Sequence, residues 1–323
     1  MNVLITGGAG FLGLQLARHL LQRGALSLDG KAVTISRLTL LDVVAPQIDD
    51  ARVRAITGDL SDPAVLAQAI DRDTGAIFHL AAVVSGQAEA DFDLGLRVNL
   101  DASRALLETC RQLGHKPRVV FTSSVAVYGG ELPPVVQDDT ALNPQSSYGM
   151  EKAVGELLLS DYSRRGFVDG RILRLPTISV RPGKPNAAAS SFASGIIREP
   201  LAGIAANCPV KPDTGLWLLS PRGAIQALVN GIELDGARLG NRRAVNLPGL
   251  SVTVAQMVDA LRRVAGDAVA DRVTWEREER IEKIVNTWPA AWDASRGLAL
   301  GFETDASFDD VIRAYAEDAG LKL

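Results

Sequence analysis

Tyr148 and Lys152 are four positions apart, so on a helix they share one face. A phenol beside an ammonium is a pair able to take a proton from an alcohol. An isolated phenol has a pKa of about 10, too high for a base at neutral pH. A neighbouring positive charge favours the phenolate and lowers that value. Pro144 and Ser146-Ser147 read as the entry to the helix that carries the pair. Upstream, Ser124 follows the apolar run Val119–Thr122, and its hydroxyl is placed to orient a substrate oxygen. Asn99, within Val98-Asn99-Leu100, is a candidate brace for the same site.

An alcohol that loses a proton to a base needs a hydride acceptor, and the N-terminus offers a place for one. Gly7, Gly10 and Gly13 lie between the strand-like Val3-Leu4-Ile5 and a helical pattern built on Leu12, Leu16, Ala17 and Leu20. Glycines at that junction permit a tight turn and let a pyrophosphate approach the backbone. The free N–H groups of the helix start then face the phosphates. Phe11 and Leu12 complete the loop. Asp42 ends the run Leu38–Leu41, where a carboxylate accepts from both ribose hydroxyls and repels a 2′-phosphate. Val43 and Val44 follow, with no Arg to receive such a phosphate, so NAD is expected rather than NADP. An oxidised nicotinamide adds a second positive charge near the phenol. Asp59 and Leu60, after Val53–Thr57, are expected near the adenine. Leu80, Ala81 and Ala82, after the next strand, are expected to let the cofactor lie against the backbone. Thr177 is a candidate contact for the nicotinamide amide.

The elements that must position these groups follow an alternating pattern. Strands are expected at Val3–Ile5, Leu38–Leu41, Val53–Thr57, Ala76–Leu80, Val119–Thr122 and Arg171–Leu175. Helices fit Leu12 to Gly24, Ala64–Ile70, Leu94–Leu113 and Ser147–Arg164, and Ala25 to Arg37 reads as an enlarged connection. Near-continuous apolar strands alternating with helices imply an α/β fold, a Rossmann-type doubly wound parallel sheet. We expect it to span 1–175. A smaller C-terminal α/β lobe for substrate, 176–323, is expected to return some segments to the sheet. After Leu175 the prolines Pro176, Pro182, Pro185 and Pro200 break the pattern. Leu216–Leu219 and Ala244–Leu247 read as late strands, and Thr253–Val264 and Phe308–Ala319 as helices.

Bulk properties narrow the classes. Of 323 residues, 47% are apolar and 22% charged, an ordinary globular balance. The net charge of −4 gives no basic field for nucleic acid or an anionic membrane. The run Ala76 to Val84 is too short to span a bilayer, and no signal-type segment leads the chain, so a cytoplasmic protein is expected. Cys110 and Cys208 form no pairing motif and read as free thiols, and His19, His79 and His115 are scattered, so no metal site is expected.

The chain resembles the extended short-chain dehydrogenase/reductase family. The likeness is carried by Thr6–Gly13, Gly58-Asp59-Leu60, His79-Leu80-Ala81-Ala82, Ser123–Gly129 and Ser147–Lys152. It implies bound NAD, a catalytic Ser124/Tyr148/Lys152 group and, in many members, a homodimer formed by two helices per subunit in a four-helix bundle. The helices expected to do this are Leu94–Leu113 and Ser147–Arg164. Leu175–Asn186, Ala187–Phe192, Ile284–Pro289 and Leu300–Phe302 resemble the D-erythronate dehydrogenase group of that family. That likeness implies oxidation of the C2 hydroxyl of a small sugar acid to a 2-keto acid. A nucleotide-sugar epimerase that keeps its NAD, another aldonate or uronate dehydrogenase, and a non-enzymatic NAD-binding regulator are the competing readings. An acid substrate needs a cationic or donor-rich partner. The candidates are Arg181, Asn186 and Ser190, with Ser85 after the fourth strand, and Arg174 and Arg222 as further cations.

Overall fold

A computed structural model describes residues 1–183 and 188–323. Seven parallel strands form the central sheet. They are β1 (Asn2–Thr6), β2 (Arg37–Asp42), β3 (Val53–Thr57), β4 (Thr74–His79), β5 (Arg118–Ser124), β6 (Asp169–Leu175) and β7 (Ala244–Asn246), in the spatial order 3-2-1-4-5-6-7. This is the Rossmann order, which reverses between β1 and β4 and opens a crevice at the carboxyl ends there. Strand β1 is buried along its whole length, as a central strand covered on both faces must be.

Eight helices of seven residues or more bear on the argument: α1 (Phe11–Arg23), α2 (Pro63–Ala69), α3 (Ala102–Leu113), α4 (Ser147–Arg164), α5 (Phe192–Leu201), α6 (Pro221–Glu233), α7 (Val254–Ala265) and α8 (Phe308–Asp318). Leu16 and Leu20 of α1 share one sheet-face core with Leu228 and Ile232 of α6. Leu66 of α2, Leu106 of α3 and Leu159 of α4 share the core of the other face. A separate core, with Ile196, Leu261 and Ile312, joins α5, α7 and α8. Thr177–Ile178 and Leu250–Thr253 flank Gly215–Leu219 in a three-stranded sheet beside that core. Helix α7 starts with a capping box between Thr253 and Gln256.

Two elements depart from the sequence expectation. The connection Ala25 to Arg37 contains a hairpin, Ala25–Leu28 with Lys31–Thr34, turning through Asp29 and Gly30 at φ 53° and 74°. Positive φ at both central residues is the primed turn that suits strand twist, and Asp-Gly is its common sequence. The expected single helix Leu94–Leu113 is instead a short α segment Phe92–Gly95, a π turn Leu96–Asp101 and then α3. Apolar periodicity does not report a one-residue widening of a helix, whereas the structure places Asn99 inside it.

Candidate active site

Three glycine positions bring the parts of the site together. Gly7 has φ +72°, and a Cβ there would lie 2.8 Å from the Ala81 nitrogen, so the loop presses against the end of β4. Gly13 packs on the Gly7 carbonyl, with only 2.1 Å left for a Cβ. Gly149 does the same for α4: a Cβ would stand 2.1 Å from the Ala126 carbonyl oxygen. Without a side chain at 149, Tyr148 can be brought up to the segment that follows Ser124. The helix start is fixed by Ser146, whose hydroxyl accepts from Gly149 N–H at 3.2 Å, and by Glu89, which accepts from Ser147 N–H at 3.0 Å.

One cleft gathers most of the expected residues. Gly7, Gly10, Phe11, Leu12, Gly13, Leu80 and Ala82 line one end. Ser85, Ser124, Tyr148, Lys152, Thr177, Arg181 and Ser190 line the other. Asp42, Asp59, Leu60, Ala81 and Asn99 lie outside this wall, and Asn186 lies outside the described residues. The sequence reading assigned no role to Trp288, which also lines the cleft from far along the chain. Its only signal was a place in the resemblance segment Ile284–Pro289.

The cofactor end fits a dinucleotide. Helix α1 begins at Gly10 without a side-chain cap, which leaves its first N–H groups for phosphate oxygens. Asp42 sits at the carboxyl end of β2 and accepts from the Ala9 N–H at 2.9 Å, tying the end of that strand to the glycine loop. Val43 and Val44 beside it are exposed. Asp59 accepts from both the N–H and the hydroxyl of Ser61 at 2.8 Å, and these bonds hold its carboxyl below the usual range. Ala81 donates its N–H to the Thr6 hydroxyl at 3.3 Å. His79 is buried between Thr6 (2.7 Å) and Ser103 (2.8 Å), and burial lowers its pKa to about 3, so it is a neutral brace.

At the reacting end, burial raises the Tyr148 phenol to about 12. The Ser124 hydroxyl, by hydrogen bonding, and the Arg181 charge act in the opposite direction. In the protein alone desolvation prevails, and Arg181 is a cation that opposes it. Burial likewise lowers Lys152 to about 8, opposed by the charges of Glu151 and Glu156. Its Nζ lies 4.7 Å from the Phe121 ring centroid and 5.6 Å from that of Tyr148.

Asn99 does not reach the cleft. It braces it, accepting from Val83 N–H at 2.7 Å and donating to the Val83 carbonyl at 3.0 Å and to Glu151 at 2.6 Å. Ser85 accepts from the Ala189 N–H at 3.3 Å, which joins the end of β4 to the segment carrying Ser190. Among the candidate cations, Arg174 is committed to Glu156 (2.6 Å) and the Tyr128 hydroxyl (2.5 Å), and Arg222 pairs with Glu317 and Asp318 on the surface. Neither is available to a substrate. Arg181 differs. Its Nη2 is buried without a hydrogen-bond partner among the described residues, and burial lowers its pKa. Among the described residues no cluster of three or more His, Cys, Asp or Glu is placed to hold a metal ion, and no helix is long and apolar enough to cross a membrane.

Comparison with known proteins adds to this geometry. Residues 3–212 match the model of the NAD dependent epimerase/dehydratase family. The chain is 84% identical over 322 residues to the D-erythronate dehydrogenase of Cupriavidus necator, covering 99% of both chains. It is 47% identical over 319 residues to the D-erythronate dehydrogenase of Haemophilus influenzae, covering 98% of this chain and 99% of that one. Among solved structures, one described as a nucleoside-diphosphate-sugar epimerase from Agrobacterium tumefaciens superposes with a TM-score of 0.93 at 44% identity. That match covers 100% of this chain and 95% of the other.

Proposed function

Because the chain belongs to the NAD-dependent epimerase/dehydratase family, we propose that its cleft oxidises the C2 hydroxyl of D-erythronate to the 2-keto acid, with NAD as acceptor. The observation that carries this reading is the buried Nη2 of Arg181, without a hydrogen-bond partner among the described residues, in the same cleft as Tyr148 and Ser124. A buried guanidinium nitrogen without a partner calls for a hydrogen-bond acceptor, and an anion is the acceptor that suits its charge. The carboxylate of a 2-hydroxy acid is one bond from the reacting carbon. A guanidinium that holds C1 therefore brings the C2 hydroxyl, rather than the chain's far end, to the phenol.

The residues then divide the work. Arg181 binds the carboxylate and, by its charge, favours the Tyr148 phenolate. Ser124 holds the substrate oxygen and hydrogen-bonds the phenol. Tyr148 takes the hydroxyl proton. Lys152 holds the nicotinamide ribose and, as an ammonium, adds positive charge beside the phenol. Bound NAD supplies the acceptor for the hydride that leaves C2. Gly7, Gly10 and Gly13 carry its pyrophosphate, Asp42 its ribose and Thr177 the amide end. The enzyme works as a homodimer built on α3 and α4, in the cytoplasm, where Cys110 and Cys208 remain thiols.

The test is NADH formation by the purified protein against four- to six-carbon aldonic and uronic acids. D-erythronate should give NADH in proportion to keto acid, and Arg181→Met should raise KM for it by about 10²-fold through loss of a charge-assisted pair. Silence on every acid, with interconversion of a nucleotide sugar at no net NADH, would establish the epimerase instead.

A further inference from the structure

Glu151 lies between Tyr148 and Lys152 in sequence but is not among the residues that line the cleft. It is a fully buried carboxylate, 0% exposed. Its Oε2 accepts a 2.6 Å hydrogen bond from Asn99 Nδ2, and its Oε1 is buried with no hydrogen-bond partner among the described residues. The chain makes room for it. A Cβ on Gly95 would lie 2.4 Å from Oε1 and 3.2 Å from the Ala88 Cβ, so a side chain there would force the carboxylate to shift. The π turn that begins at Leu96 carries Asn99 to it, and the same Asn99 clamps Val83 through both backbone groups. Val83 lies between Ala82 and Val84, which both line the cleft.

A carboxylate with one neutral donor is costly to bury, and burial raises its own pKa. Several charged or titratable groups surround the pair. On α4 these are Tyr148, Lys152 and Glu156, the last neutralised by Arg174. The helix Ser85–Ala90 contributes Glu89, strand β4 the neutral His79, and the start of the lobe Arg181, which acts on Tyr148. Lys152 is the cation that acts on Glu151.

Resting on the reading of Tyr148 and Lys152 as the reacting pair, we propose that Glu151 is a positioning residue of the reaction: through Asn99 it locks the catalytic helix to the cleft wall at Val83, and its negative charge holds Lys152 as the ammonium. The charge is the part that a purely structural group lacks.

The test needs no substrate, so failure of the D-erythronate reading leaves it intact. Glu151→Gln keeps the volume and an oxygen for Asn99 but removes the charge. The protein has seven lysines, and ¹³C-labelled Lys152, assigned with Lys152→Met, is titrated by NMR. The unchanged protein should titrate near pH 8. Glu151→Gln should titrate about one pH unit lower, and Glu151→Asp should stay close to the unchanged protein. With substrate, the Gln variant should lose kcat rather than raise KM, and the limb of its pH profile near 8 should move to lower pH. If Glu151→Gln does not fold, Gly95→Ala displaces the same carboxylate by steric contact and reads the same midpoint. An unmoved Lys152 midpoint in the folded variant overturns the proposal, even if its thermal stability has fallen.

Discussion

Tyr148 carries two opposed influences that decide how it works. Burial and, less, the Glu151 charge favour the neutral phenol, while Ser124 and Arg181 favour the phenolate. In the protein alone burial prevails and the value stands at about 12. The positive charge of an oxidised nicotinamide and of Lys152 as an ammonium would act in the lowering direction, so in the reaction we propose cofactor binding completes the base. Replacing Tyr148 with Phe removes the proton acceptor and little else, because the ring remains. Turnover should fall by about 10²- to 10⁴-fold, with NAD affinity from fluorescence quenching unchanged. Full activity in Tyr148→Phe would eliminate the phenol as base. These residues were legible in the chain because their spacing is local. Glu151 and Trp288 were not. What makes Glu151 informative is Gly95 and Asn99, more than fifty positions upstream, the first just before and the second within a π turn that leaves no periodic mark.

Strand β5 and helix α4 are held together by a network that the sequence did not reveal. Ser123, beside Ser124, donates to Glu156 at 2.5 Å, and Glu156 accepts from Arg174 of β6 through both oxygens. Arg174 donates to the Tyr128 hydroxyl, which donates to Asn246 of β7 at 2.9 Å. The pairing of Ser124 with Leu175 sets the register of β5 and β6 behind this cluster. Each member is polar and under 10% exposed, and Ser123 also lines the cleft. Glu156→Gln leaves the Arg174 guanidinium buried without a counter-charge. By the behaviour of broken buried pairs this should cost about 3–5 kcal/mol, read as a lower urea midpoint at unchanged slope. A loss below 1 kcal/mol would mean that water reaches Arg174. The alternation of strands and helices was readable because buried parallel strands are apolar throughout. The short strands Thr177–Ile178, Ala206–Asn207 and Val273–Thr274 were not readable, since two residues carry no period.

At the scale of the whole molecule, α4 has two faces with different duties. Gly149, Lys152, Ala153 and Glu156 are buried toward the site. Met150, Val154, Leu157 and Asp161 recur at spacings of three and four on the opposite side. Leu157 is 68% exposed there, and Phe92, at the start of the neighbouring helical run, is 52% exposed. Helix α3 lies alongside, joined by the Tyr162 hydroxyl donating to Glu108 at 3.2 Å. Two such helices related by a two-fold axis make the four-helix bundle we propose, with Leu157 contributed from both subunits. A bundle on this face would also back the helix that carries Tyr148 and Lys152, so assembly and catalysis share one element. Leu157→Glu removes two buried leucines per dimer and sets two carboxylates near each other. The lost burial alone is worth about 3 kcal/mol, or about a hundredfold in Kd. Sedimentation equilibrium should therefore find the unchanged protein dimeric at micromolar concentration and Leu157→Glu monomeric. A monomeric unchanged protein, or a Leu157→Glu dimer of undiminished affinity, would place the interface on another face.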